Sequence, residues 1–471
     1  MRFHPVWLGA MLSLFGLACS SSPASSAEQT VSSGINPSGP KAFTLTVAPV
    51  WPYDNLPVSP LALAIFQQKV QRIVVLFQPG WSFDSVYGDY PGAEGIIFAP
   101  IISTLQKSKT GSLLEGPRDK PFSFSGLYSL DSRFASLKTG FYTNQLQMNG
   151  GNNDKFIAWS PQGSLVMGYW PSRLLPETAL AQRYTLFDHY FVSAFGGTFL
   201  NYQFLIAGQP PVFLAAPSNL VAVPPDNQNL TVTDKPVSPD GLVVNGLASV
   251  NHPWPPGMTP LSSTLDLVPD QTSPTLGDAL SAQGITWSWY QTGWATALQG
   301  HPLPGYSYTR EPFQYYSSFA DHTAAKALHL KDYQVFLAQI AQNTLPQVCF
   351  VDPFPFKTSA LPSLLSIQKA MVDLVKQIQA MPSGASTLII LTSADAGGHW
   401  DHAPPPSGDA WGPGTRVPLL MISPYVKKGW VEHRVFDASA LLKLIEQRWN
   451  IPPLTSRDAN ANNLLYAFEG S

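Results

Sequence analysis

Residues 387–402 read Thr-Leu-Ile-Ile-Leu-Thr-Ser-Ala-Asp-Ala-Gly-Gly-His-Trp-Asp-His and hold the strongest structural signal in the chain. The apolar run from Leu388 to Leu391 is too short for a helix and is typical of a strand buried on both faces. The run from Val417 to Ile422 predicts a second buried strand, because Ser423-Pro424 ends it. Ligands of open α/β sheets bind where strands end, so the polar turn after the first run is a candidate site.

That turn carries two carboxylates and two imidazoles. The four residues are Asp395, His399, Asp401 and His402. Such groups at a strand end are typical of a metal or phosphate site. A polar turn whose groups satisfy one another would show the same residues, so this stretch alone leaves both interpretations open.

Length and composition are those of a globular protein. The 471 residues allow one large core or two domains. The net charge of −3 gives no argument for nucleic acid as a partner. Charged residues make up only 12% of the chain, whereas 45 prolines and 35 glycines predict long, stiff connections.

Residues 1–27 have the pattern of a secretory signal peptide. Arg2 begins it, Val6 to Ala18 is an apolar run too short to span a bilayer, and Ser25-Ser26-Ala27 is a plausible cleavage site. We therefore expect export to the periplasm or the exterior. Lipid attachment at Cys19 is less favoured, because Gly16-Leu17-Ala18 is a poor lipobox. The sequence has no other stretch long and apolar enough for a transmembrane segment.

The remainder of the chain divides into a tether and one domain. Residues 28–68 predict an N-terminal tether and lead-in, since Glu28 to Lys41 is rich in Ser, Gly and Pro. Residues 69–471 predict an α/β domain. Within it, 209–280 is rich in Pro, Val and Thr and predicts a β-rich insertion on the surface.

Short apolar runs separated by helical patterns predict one mostly parallel sheet. Its expected strands are Arg72–Phe77, Gly284–Tyr290, Val348–Val351, Leu388–Thr392 and Val417–Ile422. Two amphipathic helices are expected at Ser359–Ala380 and Asp437–Trp449.

Several motifs resemble those of a bacterial phosphoesterase family that includes AcpA-type acid phosphatases and bacterial phospholipases C. Asp395-Ala-Gly-Gly-His-Trp-Asp-His402 is similar to one motif, and Trp411-Gly-Pro-Gly-Thr-Arg-Val-Pro418 continues it. Ser82-Phe-Asp84 and Phe195-Gly-Gly-Thr-Phe-Leu-Asn201 match two more. The resemblance implies an alkaline phosphatase-like α/β/α sandwich with a mostly parallel central sheet.

The resemblance also implies hydrolysis of a phosphate ester by a hydroxyl nucleophile and a metal. Thr198 matches the nucleophile and Asp395 matches a metal ligand. The candidate residues are Thr198, Asp395, Asp401 and His402 for catalysis, and Asn201, Arg310 and His399 for substrate binding.

Three metal-ligand positions of the family are substituted, by Pro79, Gly80 and Ala394. None of these has a side chain that can bind a cation. Histidines of the family are also replaced, for example by Tyr202 and Thr309. We therefore expect no bound cofactor and a pseudo-enzyme with a binding or structural role; an active protein would need a divalent metal.

The alternative is an active phosphoesterase, either a phosphomonoesterase or phospholipase C-like. Its rebuilt site would use Thr198, Asp395, His399, Asp401 and His402. Under either hypothesis the ligand would be a phosphate ester or another anionic small molecule, and a protein partner stays open. We expect three of these residues to converge in one cleft, namely Thr198, Asp395 and His402.

Each candidate also has a structural interpretation. His399 would be hydrogen-bonded or face solvent, and Asp401-His402 would stabilise the turn. Arg310 would form a surface salt bridge.

Overall fold

A computed structural model describes residues 57–134, 137, 139–225, 233–258, 266–354 and 362–471. The predicted signal peptide and residues 28–56 of the predicted tether lie outside these ranges. In the described part, no helix has the length and apolar character needed to cross a membrane.

Twelve strands are described. They are β1 (Arg72–Gln78), β2 (Phe122–Ser123), β3 (Gly168–Tyr169), β4 (Thr185–Phe187), β5 (Tyr190–Phe191), β6 (Trp287–Gln291), β7 (Leu330–Asp332), β8 (Val348–Asp352), β9 (Thr387–Ser393), β10 (Leu419–Ile422), β11 (Trp430–Glu432) and β12 (Phe436–Asp437).

The described α-helices surround these strands. They are α1 (Pro60–Lys69), α2 (Phe83–Tyr87), α3 (Ile101–Thr104), α4 (Phe141–Met148), α5 (Thr178–Ala181), α6 (Thr198–Ala207), α7 (Leu276–Ala282), α8 (Trp294–Leu298), α9 (Ala324–His329), α10 (Tyr333–Gln342), α11 (Leu364–Ala380), α12 (Ser439–Trp449) and α13 (Ser456–Asn460). Short 3-10 turns connect several of them, one of which spans Ile96–Phe98.

Eight strands form one mixed sheet in the order β11-β4-β10-β9-β1-β8-β6-β7. Its pairings are parallel except those of β10, which runs antiparallel to β9 and β4. All five predicted strands belong to this sheet, so that prediction is confirmed. Strand β10 begins at Leu419, two residues later than predicted, because Pro418 has no N–H and Val417 donates to the Tyr190 carbonyl outside the sheet.

Side chains of β1 alternate between two apolar layers. Ile73, Val75 and Phe77 pack into one layer, which includes residues of α1, α6 and α12. Val74 and Leu76 pack into the other, which includes residues of α10 and α11. The sheet is therefore covered by helices on both faces, and the predicted α/β/α arrangement is confirmed.

The two predicted amphipathic helices are present with shifted starts. Helix α11 begins at Leu364, where the Ser363 hydroxyl accepts from the Ser366 N–H at 3.2 Å. Residues 359–361 of its predicted start lie outside the described ranges. Asp437 accepts from the Ser439 N–H at 2.6 Å and so stabilises the first turn of α12, as predicted.

Two boundaries differ from the predictions. Helix α1 lies inside the predicted tether, but its Ala62 and Phe66 are buried in the main core, so it belongs to the domain. The insertion at 209–280 is not β-rich in its described residues, where backbone pairing is limited to isolated bridges. Its valines, including Val237 and Val243, pack into the main core instead of forming a separate surface layer.

A buried polar pair holds the end of β1. Gln78 donates to Glu177 Oε2 at 3.3 Å, and Glu177 is 1% exposed. Burial raises the pKa of Glu177 to about 8, despite the hydrogen bond from Gln78. A carboxyl group with a raised pKa favours the folded state only while it is protonated.

Glu177→Gln should flatten the dependence of stability on pH. The contribution of Glu177 is complete below its ordinary pKa of 4.5 and declines as the pH rises to about 8, by several kcal/mol in total. We expect the variant to gain stability over wild type across this window in chemical denaturation. Glu115→Gln, an exposed control, should follow wild type. Parallel curves for wild type and Glu177→Gln would contradict this assignment.

Phe66→Ala should destabilise the domain by about 3 to 5 kcal/mol, because it removes a fully buried ring that packs 5.3 Å from that of Phe468. Leu61→Ala on the same helix is the matched control, since Leu61 is 59% exposed and should cost about 1 kcal/mol or less. Equal losses for both variants in chemical denaturation would mean that α1 is not part of the core.

Candidate functional site

A cavity of about 570 Å³ lies at the carboxyl ends of β1 and β9. Its polar lining includes Thr139, Thr143, Thr198, Asp234, Asn245, Ser307, Thr309, Arg310 and Asp395. Its apolar lining includes Trp81, Phe134, Leu137, Phe199, Val244, Leu364 and Ile367. The volume is typical of a small-molecule site.

Thr198 is the first residue of α6 and reaches this cavity. Its hydroxyl donates to Asp395 Oδ2. The Thr198 hydroxyl oxygen in turn accepts a hydrogen bond from Arg310 Nη1 at 3.0 Å. The structure therefore brings these three predicted site residues together.

The turn after β9 fixes the Asp395 carboxylate. Asp395 Oδ1 accepts from the Gly397 N–H at 2.6 Å. Gly397 has a φ of +64° and lies against the Gly80 carbonyl, so this position requires glycine. Both carboxylate oxygens of Asp395 are thus engaged, one by the backbone and one by Thr198.

Arg310 is buried rather than part of a surface salt bridge. Its Nε donates to Asp352 Oδ2 at 2.6 Å and its Nη2 donates to the Tyr202 hydroxyl at 3.1 Å. Burial opposes the charge of Arg310, but Asp352 raises its pKa above the ordinary value. The guanidinium is therefore a fixed positive charge beside Thr198, and its nearest counter-charge is already present.

Two members of this network were not predicted from the sequence. Asp352 ends β8, and Tyr202 follows Thr198 by one helical turn and donates to Asp352 Oδ2 at 3.2 Å. The position of Asp352 at a strand end was a readable signal, because the same rule pointed to Asp395.

The surroundings of Gly80, one of the substituted ligand positions, leave no room for a side chain. A Cβ atom at this position would overlap Asp395 Oδ1 and the Gly397 nitrogen, and would lie 2.6 Å from the Asp395 carbonyl oxygen. The backbone of residue 80 therefore occupies the space in which a longer side chain would have to begin. Pro79 is buried and its side chain has no atom that could bind a cation. Ala394 packs in the main core.

His399 lines the cavity but does not face solvent. It stacks on Trp81 with ring centroids 4.0 Å apart and is 6% exposed. Burial lowers the pKa of His399 to about 3, so the ring is neutral at physiological pH. Within the described part of the protein, its Nδ1 has no hydrogen-bond partner.

Asn201 positions the loop before Thr198 and is not among the residues that line the cavity. Its Oδ1 accepts from the Ala194 N–H at 2.9 Å, and its Nδ2 donates to the Ala194 and Gly197 carbonyls. These bonds explain its presence without a contact to substrate.

Asp401 and His402 lie in a second cluster with Asp84 and Arg416. His402 Nδ1 lies 2.7 Å from Asp84 Oδ2, and Arg416 joins Asp84 and Asp401 at 3.0 and 2.9 Å. All four side chains are buried. None of the four is among the residues that line the cavity, and a shared cleft for His402, Thr198 and Asp395 stays a prediction.

The charges of this second cluster are balanced internally. Burial alone would raise the pKa of Asp84, but Arg416 and His402 lower it below the ordinary value. Burial opposes protonation of His402, but the bond to Asp84 raises its pKa. The ligand atoms of Asp84, Asp401 and His402 lie within 4.8 Å of one another. A guanidinium bonded to both carboxylates does not fit a cation there, and we assign the cluster a structural role.

Known proteins are similar to this sequence over most of its length. The model of the Phosphoesterase family matches residues 70–452. The chain is 24% identical over 430 residues to the non-hemolytic phospholipase C of Pseudomonas aeruginosa, which covers 82% of this chain and 54% of that protein. It is 25% identical over 454 residues to phospholipase C B of Mycobacterium tuberculosis, and the match covers 85% of this chain and 77% of that protein. The chain thus spans about half the length of the Pseudomonas relative.

Solved structures align with this chain only at low TM-scores. A Vibrio parahaemolyticus protein of the alkaline phosphatase superfamily aligns with a TM-score of 0.36 at 10% identity, over 89% of this chain and 75% of that one. The lipoteichoic acid synthase LtaP of Listeria monocytogenes aligns with a TM-score of 0.36 at 7% identity, over 86% of this chain and 82% of that one. The family match, in contrast, includes Thr198, Asp395 and the second cluster. This chain belongs to the phosphoesterase family.

Proposed function

We propose that this phosphoesterase-family chain binds a small polar ligand in the cavity beside Thr198 and has lost the metal-dependent hydrolysis of phosphate esters. One observation carries the proposal: Asp395 and Arg310 engage the Thr198 hydroxyl, while the Gly80 backbone fills the adjoining space. Export directed by residues 1–27, to the periplasm or the exterior, is part of the proposal.

Too few oxygen donors remain for a divalent cation. Hard cations take several oxygen ligands, and of the five family positions only Thr198 and Asp395 still offer one. Asp395 is already bonded through both of its oxygens. A cation at this position would have to displace the Thr198 hydroxyl or the Gly397 amide from the carboxylate.

The fixed charges also do not favour a phosphate dianion. The positive charge of Arg310 is matched by Asp352 at 2.6 Å, and Asp395 and Asp234 add negative charge at the cavity wall. Hydrolysis of a phosphate ester requires positive charge to stabilise the transition state. A neutral polar ligand fits these charges better than the phosphate ester that family membership suggests.

The cavity nevertheless keeps the features of a binding site. It combines aromatic walls, such as Trp81 and Phe199, with hydroxyl and amide groups, such as Thr139 and Asn245. Asp234 accepts from the Thr143 N–H and from Asn245 Nδ2, both at 2.9 Å, and so orders the side of the cavity formed by α4. Preorganised polar groups on apolar walls are typical of ligand sites.

The second candidate function is hydrolysis without a metal. Asp395 contacts the Thr198 hydroxyl and would accept its proton, and Arg310 would stabilise the negative charge that develops. This arrangement differs from the rebuilt site predicted from the sequence, because Asp401 and His402 lie outside the cavity.

Turnover of a generic phosphomonoester should be undetectable for the purified protein, with or without added Mg²⁺, Mn²⁺, Zn²⁺ or Ca²⁺. The reason is the substitution of three cation-ligand positions, by Pro79, Gly80 and Ala394, together with the pairing of Arg310 with Asp352. We expect kcat to lie at least about 10⁴-fold below the usual 1 to 10³ s⁻¹. The measurement is release of phosphate or chromophore by wild type, Thr198→Ala and Asp395→Asn, together with elemental analysis of bound metal.

Two outcomes would contradict the proposal in different ways. Activity that resists chelators and is lost in both variants would establish the metal-free Thr198 mechanism. Activity that chelators abolish and that metal restores would establish a metal enzyme. Binding of a neutral ligand series, measured by calorimetry with Phe199→Ala as the cavity variant, tests the binding role separately.

Gly80→Asn should not restore a metal site, because its Cβ would collide with Asp395. Gly80→Ala should already cost about 1 to 3 kcal/mol in chemical denaturation and displace the Asp395 carboxylate from Thr198. Gly197→Ala is the matched control at the same cavity, since its added Cβ would meet the Thr139 carbonyl at an ordinary 3.6 Å. A stable Gly80→Asn protein that binds a divalent ion would refute the steric argument.

A further inference from the structure

A short apolar segment is exposed on the protein surface and is not part of the cavity beside Thr198. Ile97, Phe98, Ile101 and Ile102 are 84%, 60%, 76% and 48% exposed. They belong to the 3-10 turn at Ile96–Phe98 and to helix α3. In the described ranges, no other six-residue span carries four exposed large apolar side chains. A contiguous exposed group of this kind marks an interaction surface.

This segment is held firmly at both ends. The Ile96 N–H donates to the Gly88 carbonyl at 2.7 Å. Gln106 is fully buried and donates to the Ser103 and Asn153 carbonyls, both at 2.9 Å. The apolar side chains are therefore displayed by an anchored backbone, not by a loose loop that could fold them away.

Basic side chains follow the segment in the sequence. Residues 107–120 contain four basic and two acidic side chains, a surplus opposite in sign to the net charge of −3 for the chain. Lys107 pairs with Asp154 at 2.6 Å, whereas Lys109, Arg118 and Lys120 are exposed.

Packing ties these basic residues to the same region of the surface. Arg118 lies over the ring of Phe122, which packs on the same apolar cluster as Ile96. Lys109 Nζ lies 4.2 Å from the ring centre of Trp159. The segment Lys107 to Leu113 folds back on itself immediately after α3.

We propose that Ile97, Phe98, Ile101 and Ile102, with Lys109, Arg118 and Lys120, form a docking surface for an anionic lipid membrane. Branched and aromatic side chains enter the interface between headgroups and acyl chains, while long basic side chains reach the phosphates. Each basic residue near an anionic surface adds attraction that salt screens. The exposed basic side chains complement the charge of an anionic lipid surface, and this complementarity favours such a surface as the occupant.

The first test is partition of the full chain onto vesicles that contain anionic lipid. Ile97→Ser/Ile101→Ser should reduce the partition coefficient at least about tenfold, because two large apolar side chains no longer leave water. Leu214→Ser/Leu328→Ser is the matched control, since these leucines are 72% and 62% exposed and lie outside the surface. Lys109→Glu/Lys120→Glu should weaken binding to anionic vesicles and leave binding to zwitterionic vesicles unchanged.

The second test separates this surface from the apolar N-terminal residues, which every variant shares. A polarity-sensitive fluorophore is attached to Ile101→Cys in a Cys19→Ser background, where the remaining Cys349 is buried. The control label is at Leu328→Cys. We expect anionic vesicles to shift the emission to the blue at position 101 and not at position 328.

Three outcomes would overturn the proposal. The first is equal partition of the isoleucine variant and its control, and the second is no shift at position 101 on vesicles. The third is a shift at position 101 that grows with protein concentration without vesicles, which would assign the surface to a second copy of the chain.

Discussion

The contact of Asp395 with the backbone at Gly80 is the constraint on which the candidate site depends. Because residue 80 has no side chain, there is room for the Asp395 carboxylate to turn toward Thr198 and accept a hydrogen bond from its hydroxyl. The same close approach needs the left-handed Gly397, whose N–H holds the other carboxylate oxygen. The close approach of residue 80 to Asp395 and Gly397 therefore joins the carboxyl ends of β1 and β9.

Positive charge near Thr198 comes from Arg310, and this changes what the hydroxyl can do. A guanidinium keeps its charge at all accessible pH values, but here it is bonded to Asp352 and Tyr202. Little of that charge is left to stabilise a transferring phosphoryl group. The site is thus polar and ordered while its charges are compensated, and this agrees with the binding role that we propose.

Much of the fold was predictable, because a buried strand needs only a short apolar run that ends in turn residues. The five predicted strands joined one sheet for that reason. The site was less predictable, because its partners are distant in sequence: Arg310 meets Thr198 across 112 residues. The contact of His402 with Asp84, 318 residues away, is likewise not visible in the local motif. The valine-rich insertion was misjudged because its apolar residues pack into the core without pairing into strands.

The two acidic residues of the 387–402 motif, Asp395 and Asp401, differ in the contacts that their carboxylates make. Asp401 shares Arg416 with Asp84, and Arg416 also donates to the Asp188 carbonyl beyond β4, so this ion cluster ties three turns at the sheet edge. Removing any member of the cluster would leave an uncompensated buried charge. A contribution to the stability of the fold is therefore enough to account for these residues. Asp395 instead faces an open cavity. A family motif therefore combines residues that build the scaffold with residues that line the cavity, and only their contacts distinguish the two.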